Sequence, residues 1–180
     1  GVRIIDSASP SSPPIIGQAA GFGTAVDADA SGDLALIACG AAGLFVADIS
    51  RADEPVIKGA ISRGSFDIVR VIPGTALAGD NDVVAGTGKL VAIDIADAAH
   101  PVVTGAVGVG GTLEGLTVAD DLAYVVSADE RLRIIDISDR ETLRPLGELD
   151  LGHGGDNVCV AAGQAYIASP TVGLRIVDVS

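Results

Sequence analysis

The chain has 180 residues, with 11 Lys and Arg against 24 Asp and Glu, a formal charge of −13 that argues against nucleic-acid partners and anionic membrane surfaces. Apolar residues make up 48% of it, yet they never run uninterrupted for the ~18 to 20 positions that a bilayer-spanning helix needs. With 24 Gly, 3 Phe, 2 Tyr and neither Trp nor Met, the core falls to Val, Ile, Leu and Ala, a composition that favours short strands and tight turns in one domain of ordinary size.

The first residues, Gly1-Val-Arg-Ile-Ile-Asp6, show neither the basic start nor the apolar stretch of a signal peptide, and they start in the middle of a pattern. That pattern returns as Gly-Leu-Phe-Val-Ala-Asp-Ile-Ser (43–50), Lys-Leu-Val-Ala-Ile-Asp-Ile-Ala (89–96), Arg-Leu-Arg-Ile-Ile-Asp-Ile-Ser (131–138) and Gly-Leu-Arg-Ile-Val-Asp-Val-Ser (173–180). Its aspartates, Asp6, Asp48, Asp94, Asp136 and Asp178, are separated by 42, 46, 42 and 42 residues. Such a period marks a repeat architecture, and a segment that opens and closes inside it reads as an excerpt or a processed piece.

Within each repeat the elements follow in a set order. After the Asp-bearing strand a proline (Pro14, Pro55, Pro101, Pro145) opens or interrupts a second apolar run such as Pro101-Val-Val-Thr-Gly-Ala-Val107. A Gly-rich loop leads to a third run (Leu116–Ala119), a tight turn (Asp120-Asp121; Gly32-Asp33 and Gly163-Gln164 in other copies) and a fourth run (Leu122–Val126). No stretch keeps a 3.6-residue apolar period over ten residues without Gly or Pro, so helix content is expected to be near zero. The strand at 131–138 is apolar on both faces, Leu132 and Ile134 on one and Ile135 and Ile137 on the other, and must be covered on both. Small antiparallel sheets with two apolar faces, recurring every ~42 residues, are satisfied by packing face to face around an axis, as in an all-β β-propeller with four-stranded blades. A β-sandwich needs no such period, and a parallel β-helix uses shorter coils.

The phrase Leu-Arg-Ile-Ile-Asp-Ile-Ser, the following proline, the Gly-rich loop and the Ala-Tyr-Val type of strand resemble the LVIVD-repeat family of β-propellers over essentially the whole chain. The resemblance implies a bacterial or archaeal cell-surface or secreted protein, without enzymatic activity as a family property. By analogy with such propellers, the run after the Gly-rich loop is the innermost strand of a blade and the post-proline run the outermost. Blades are then expected at 20–61, 62–107 and 108–151, with partial blades at 1–19 and 152–180, an arc of a larger ring whose exposed blade faces favour end-to-end association. The second repeat is four residues longer, within Ala76-Leu-Ala-Gly-Asp-Asn-Asp-Val-Val84.

A residue present in every copy serves the repeat, so Asp6, Asp48, Asp94, Asp136 and Asp178 are expected to cap turns. Function is sought where the copies differ. The loop entering the innermost strand reads Gly21-Phe-Gly-Thr-Ala-Val-Asp27, Arg63-Gly-Ser-Phe-Asp67, Gly110-Gly-Thr-Leu-Glu114 and His153-Gly-Gly-Asp-Asn157. It places Asp27, Asp67, Glu114 and Asp156, with Arg63 and His153, at the rim of the expected channel, as solvated loop polars or as a site for a ligand, including a divalent cation such as Ca²⁺. Asp80-Asn81-Asp82 lacks the spacing and the downstream Glu of an EF-hand and is expected to be a solvated hairpin tip. Gly86-Thr-Gly-Lys89 fails as a phosphate loop, because Leu90 stands where Ser or Thr is needed. His100 and His153 are isolated and form no zinc spacing with Cys39 or Cys159, which are expected to be buried free thiols in apolar strands. No Gly-x-Ser-x-Gly is present. Two functions are consistent with these residues: a non-catalytic scaffold that binds a protein, glycan or small ligand and needs no cofactor, and a metal-dependent hydrolase or oxidoreductase using Asp67, Glu114, Asp156 and His153.

Overall fold

The computed structural model describes residues 1–180, and every regular element in it is a strand. The strands are β1 (Val2–Ile5), β2 (Ile15–Ala19), β3 (Asp27–Ser31), β4 (Leu34–Ala38), β5 (Leu44–Asp48), β6 (Val56–Ile61), β7 (Phe66–Ile72), β8 (Thr75–Asp82) and β9 (Thr87–Asp94). They continue as β10 (Val102–Gly108), β11 (Leu113–Ala119), β12 (Leu122–Ser127), β13 (Arg131–Asp136), β14 (Arg144–Asp150), β15 (Asn157–Ala161), β16 (Gln164–Ser169) and β17 (Gly173–Asp178). Sheets form in sequence order: β1-β2, β3-β4-β5-β6, β7 to β10, β11-β12-β13-β14 and β15-β16-β17. The chain forms two compact units, Gly1–Ala76 with Asp94–Val102, and Leu77–Ile93 with Val103–Ser180.

Short Val-, Ile- and Ala-rich runs punctuated by turns make these strands, and the central ones are buried on both faces, as their unbroken apolar character requires. The hairpin turn after each first strand needs a left-handed residue. Gly32 supplies it at φ 60°, Asp120 takes the same place at φ 53° and Ala162 at φ 50°. The third and fourth strands are joined with a one-residue bulge, seen between Val46 and Ala47 on β5 and between Ile134 and Ile135 on β13, which adds twist to the outer strand.

In the first unit, Ala19, Phe22, Ala35, Ile37, Cys39 and Ala47 form a core between β1-β2 and β3–β6. In the second, Tyr124, Val126 and Leu132 of β12 and β13 pack on Val158, Ala165 and Ile167 of β15 and β16. The front face of one blade thus seals the back face of the next. The extra residues of the second repeat lengthen the β8–β9 hairpin, whose tip is the exposed Val83 and Val84.

The expected solvated tip at 80–82 is corrected by this placement. Asn81 lies within β8, is 6% exposed, and its Oδ1 accepts from Leu113 N–H at 2.8 Å while its Nδ2 donates to Leu113 O at 3.2 Å. Only Asp82 behaves as a turn residue, its Oδ1 accepting from Val84 and Ala85 N–H. One of the two thiols also differs from expectation, Cys39 being free and buried as expected. Cys159 is free but exposed, because alternation on β15 turns Val158 inward and Cys159 outward.

Candidate functional site

The repeated aspartates close Asx turns two residues long. Ala8, Ser50, Ala96, Ser138 and Ser180 each donate their N–H to the carboxylate of Asp6, Asp48, Asp94, Asp136 and Asp178, at 2.8 to 3.0 Å. At Asp48 the Ser50 hydroxyl and N–H, together with the Lys58 ammonium 3.2 Å away, pull the carboxyl down to about 2.

The rim residues divide differently. Counting back from the hairpin turns, Asp67, Glu114 and Asp156 share one register position, which Val26 fills in the first copy; Asp27 is one residue out of step and matches Ile68, Gly115 and Asn157. A strand inverts its faces at every residue, so Asp27 does not present its side chain as the other three do. Instead it is spent on the neighbouring blade: its Oδ2 accepts from Val69 N–H at 3.1 Å and from Arg70 Nη1 at 2.8 Å, and Arg70 Nη1 also donates to Val69 O. Asp29, two residues on, accepts from Val71 N–H at 2.7 Å. Two first strands therefore meet through a pair of carboxylates that satisfy edge N–H groups. At the corresponding seam in the second unit a glycine stands where Asp27 stands in the first. A Cβ on Gly115 would stand 2.8 Å from Asn157 Cα and 3.1 Å from Val158 N, so β11 and β15 approach backbone to backbone.

Of the remaining rim residues, Arg63, Glu114, His153 and Asp156 are exposed and Asp67 is half-buried. Asp67, the second residue of β7, lies beside Gly40, whose N–H and C=O pair with Phe66 in an isolated bridge. Glu114 accepts from the Thr112 hydroxyl at 3.0 Å, and Asp156, just before β15, donates its N–H to Ala168 O. No three His, Cys, Asp or Glu side chains are gathered as metal ligands would be. His100 pairs locally with Asp97, Nδ1 to Oδ2 at 2.8 Å, in an exposed turn.

A model of the LVIVD repeat matches residues 22–62, 76–109, 110–143 and 154–180. The chain belongs to the LVIVD-repeat family. Among solved structures, the computationally designed Ika4 protein superposes with a TM-score of 0.68 at 13% identity, covering 89% of this chain and 94% of that one. The designed Ika8 protein gives 0.66 at 13% identity over 84% of this chain, which spans 45% of Ika8. No curated protein matches. The four-stranded antiparallel sheets, the period and these likenesses establish the fold class as that of a β-propeller.

Two features of this LVIVD chain escape a reading for motifs. One is a polar knot in the second unit: Arg133 Nη1 donates to the buried Ser127 hydroxyl at 2.7 Å, and its guanidinium grips Asp129. That grip holds the Asp129 carboxyl below its usual range. Glu148 lies 3.6 Å from Arg133 Nε and 2.6 Å from Arg131 Nη1. The other is a glycine at the same place in every outer strand, Gly17, Gly59, Gly105 and Gly147. A Cβ on Gly17 would collide with Ala52 O, on Gly59 with Ala98 O and on Gly105 with Arg140 O, whereas at Gly147 it meets open space. Each collision partner lies in the turn after the next repeat's aspartate. The recurrence of these glycines, at spacings of 42, 46 and 42 residues that match those of the aspartates, is the sequence signal that reveals them.

Proposed function

We propose that the chain is a non-catalytic scaffold and binding module of a cell-surface or secreted protein, engaging a protein, glycan or small ligand through the loops that carry Arg63, Asp67, Glu114, His153 and Asp156. The observation that carries this reading is the division among the acids. Asp27 is committed to a seam between blades, while Glu114 and Asp156, which share a register position with Asp67, stand exposed at the heads of their strands. Side chains that differ between repeats and face solvent are where a repeat scaffold places specificity.

A glycan array probed with the labelled chain tests it. The expected result is binding to a defined subset, reduced at least about tenfold in a Glu114→Ala, His153→Ala, Asp156→Ala variant. Binding that this variant leaves unchanged refutes the assignment of the surface. Calorimetric titration with CaCl₂ and ZnCl₂ separates the metal-dependent alternative: a metal heat abolished by Asp156→Ala and His153→Ala favours it over the scaffold reading.

A further inference from the structure

Each blade ends on an outer strand whose free edge turns every second N–H and C=O away from the sheet, and such an edge pairs with another chain unless something on it prevents that. The outer strands differ in this protection. Lys58 stands in β6, and Arg144, Pro145, Glu148 and Asp150 stand in β14. β2 carries no charge, but it is only five residues long and has the polar Gln18 directly after its glycine. β10, Val102-Val-Thr-Gly-Ala-Val-Gly108, is seven residues long and has neither a charge nor a proline. It forms the edge of the sheet β7 to β10, and none of its N–H groups is taken up by a loop carbonyl. Val102 is 56% and Val103 44% exposed, and Ala106 and Gly108 are exposed as well. The strand is held from within, the Thr104 hydroxyl lying 3.3 Å from Ala92 O and 3.1 Å from Arg140 O, so its edge is a fixed template. The order of its residues is also close to self-complementary. Read about Gly105, Val103 is matched by Val107 and Thr104 by Ala106.

We propose that two copies of this chain pair edge to edge through β10, antiparallel about Gly105, joining two four-stranded blades into one eight-stranded sheet. A two-fold axis makes two identical edges antiparallel, and each residue pair then occurs twice. The axis sets Val103 of one copy opposite Val107 of the other, Thr104 opposite Ala106, Gly105 opposite Gly105 and Val102 opposite Gly108. Apolar and small residues meet across the join, and no like charges do. The backbone groups that the edge turns toward water become a ladder, and the partly exposed valines lose water with them. Each copy carries a charge of −13, so the two repel at a distance. Salt shortens the range of that repulsion, from about 14 Å at about 0.05 M to about 4 Å at about 0.5 M, and is expected to tighten the pair. The inference stands independently of any ligand at the loops.

Sedimentation velocity on the purified chain at about 100 µM in about 0.5 M NaCl is expected to show a species of twice 17.8 kDa. Ala106→Lys puts two lysines beside the axis and is expected to weaken the association at least about tenfold, whereas the uncharged Ala106→Ser is expected to leave it within about twofold. Position 106 is exposed, so unchanged thermal midpoints are expected to show both variants folded as the parent is. In a Cys159→Ser background, mixing Val103→Cys with Val107→Cys chains is expected to yield a disulfide-linked dimer that neither variant forms alone, because the two positions face each other across the join at the Cα separation a disulfide spans. A single-chain mass throughout, an association that Ala106→Lys leaves unchanged or that weakens as salt rises, or disulfide dimers as abundant in either variant alone as in the mixture overturns the proposal.

Discussion

Replacing Asn81 by Ala tests the claim that this residue is an interior clamp. Its amide forms a two-bond bracket around Leu113, accepting from the N–H at 2.8 Å and donating to the C=O at 3.2 Å, and both residues are nearly inaccessible, at 6% and 2%. Each bond contributes roughly 1 kcal/mol net, and a buried N–H stripped of its acceptor costs about 1–3 kcal/mol, so Asn81→Ala is expected to lose about 2–4 kcal/mol. For a chain of this length that corresponds to roughly 5–12 °C in Tm. Asn81→Asp keeps the acceptor but turns a carboxylate oxygen toward Leu113 O, and is expected to be as damaging. Asp82→Ala, one residue away but exposed, removes only an Asx turn and is expected to stay below about 1 kcal/mol. Urea unfolding of the variants side by side supplies the numbers. If Asn81→Ala unfolds within about 0.5 kcal/mol of the parent, or if Asp82→Ala is the more damaging, the bracket does not hold β8 to β11.

Gly59→Ala drives a methyl into Ala98 O, with Ala99 O and Pro101 Cδ 2.8 Å away, and urea midpoints are expected to record a loss of about 1–3 kcal/mol. Ala162→Gly relieves a left-handed alanine at φ 50° and is expected to raise the thermal midpoint, the equivalent of about 0.5–1 kcal/mol; a fall in the midpoint refutes strain at that turn. Asp48, held down to about 2 by the Ser50 hydroxyl and N–H and by Lys58, binds its proton less readily folded than unfolded. Its contribution is therefore complete above pH ~4 and lost as the pH falls toward about 2. Asp48→Asn is expected to flatten the acid limb of the stability curve between those values, measured by urea unfolding at successive pH; an unaltered limb contradicts the assignment.

Local chemistry was legible in the residues. The turn aspartates reach only two positions along the chain, and strand alternation is set by neighbours, so Asp48 with Ser50 or Asp136 with Ser138 follows from the sequence once the period is seen. Asp27 shows where such reading stops. Its loop context groups it with Asp67, Glu114 and Asp156, but strand register decides which face a side chain takes, and a shift of one residue reverses it. Cys159 lies in an apolar run and yet faces outward for the same reason.

By itself the sequence determined the period, the strand order within a repeat, the turns and the LVIVD family, because all of these depend on contacts within a few residues or on copies that can be compared. Tertiary structure decided the partners: Asp27 with Val69 and Arg70, 42 and 43 residues on, Asn81 with Leu113, 32 residues on, and the outer-strand glycines with the turn of the next blade. Those contacts depend on which backbone edges come together when blades stack. The same residue type therefore holds a turn at Asp48, bridges a seam at Asp27 and meets solvent at Asp156.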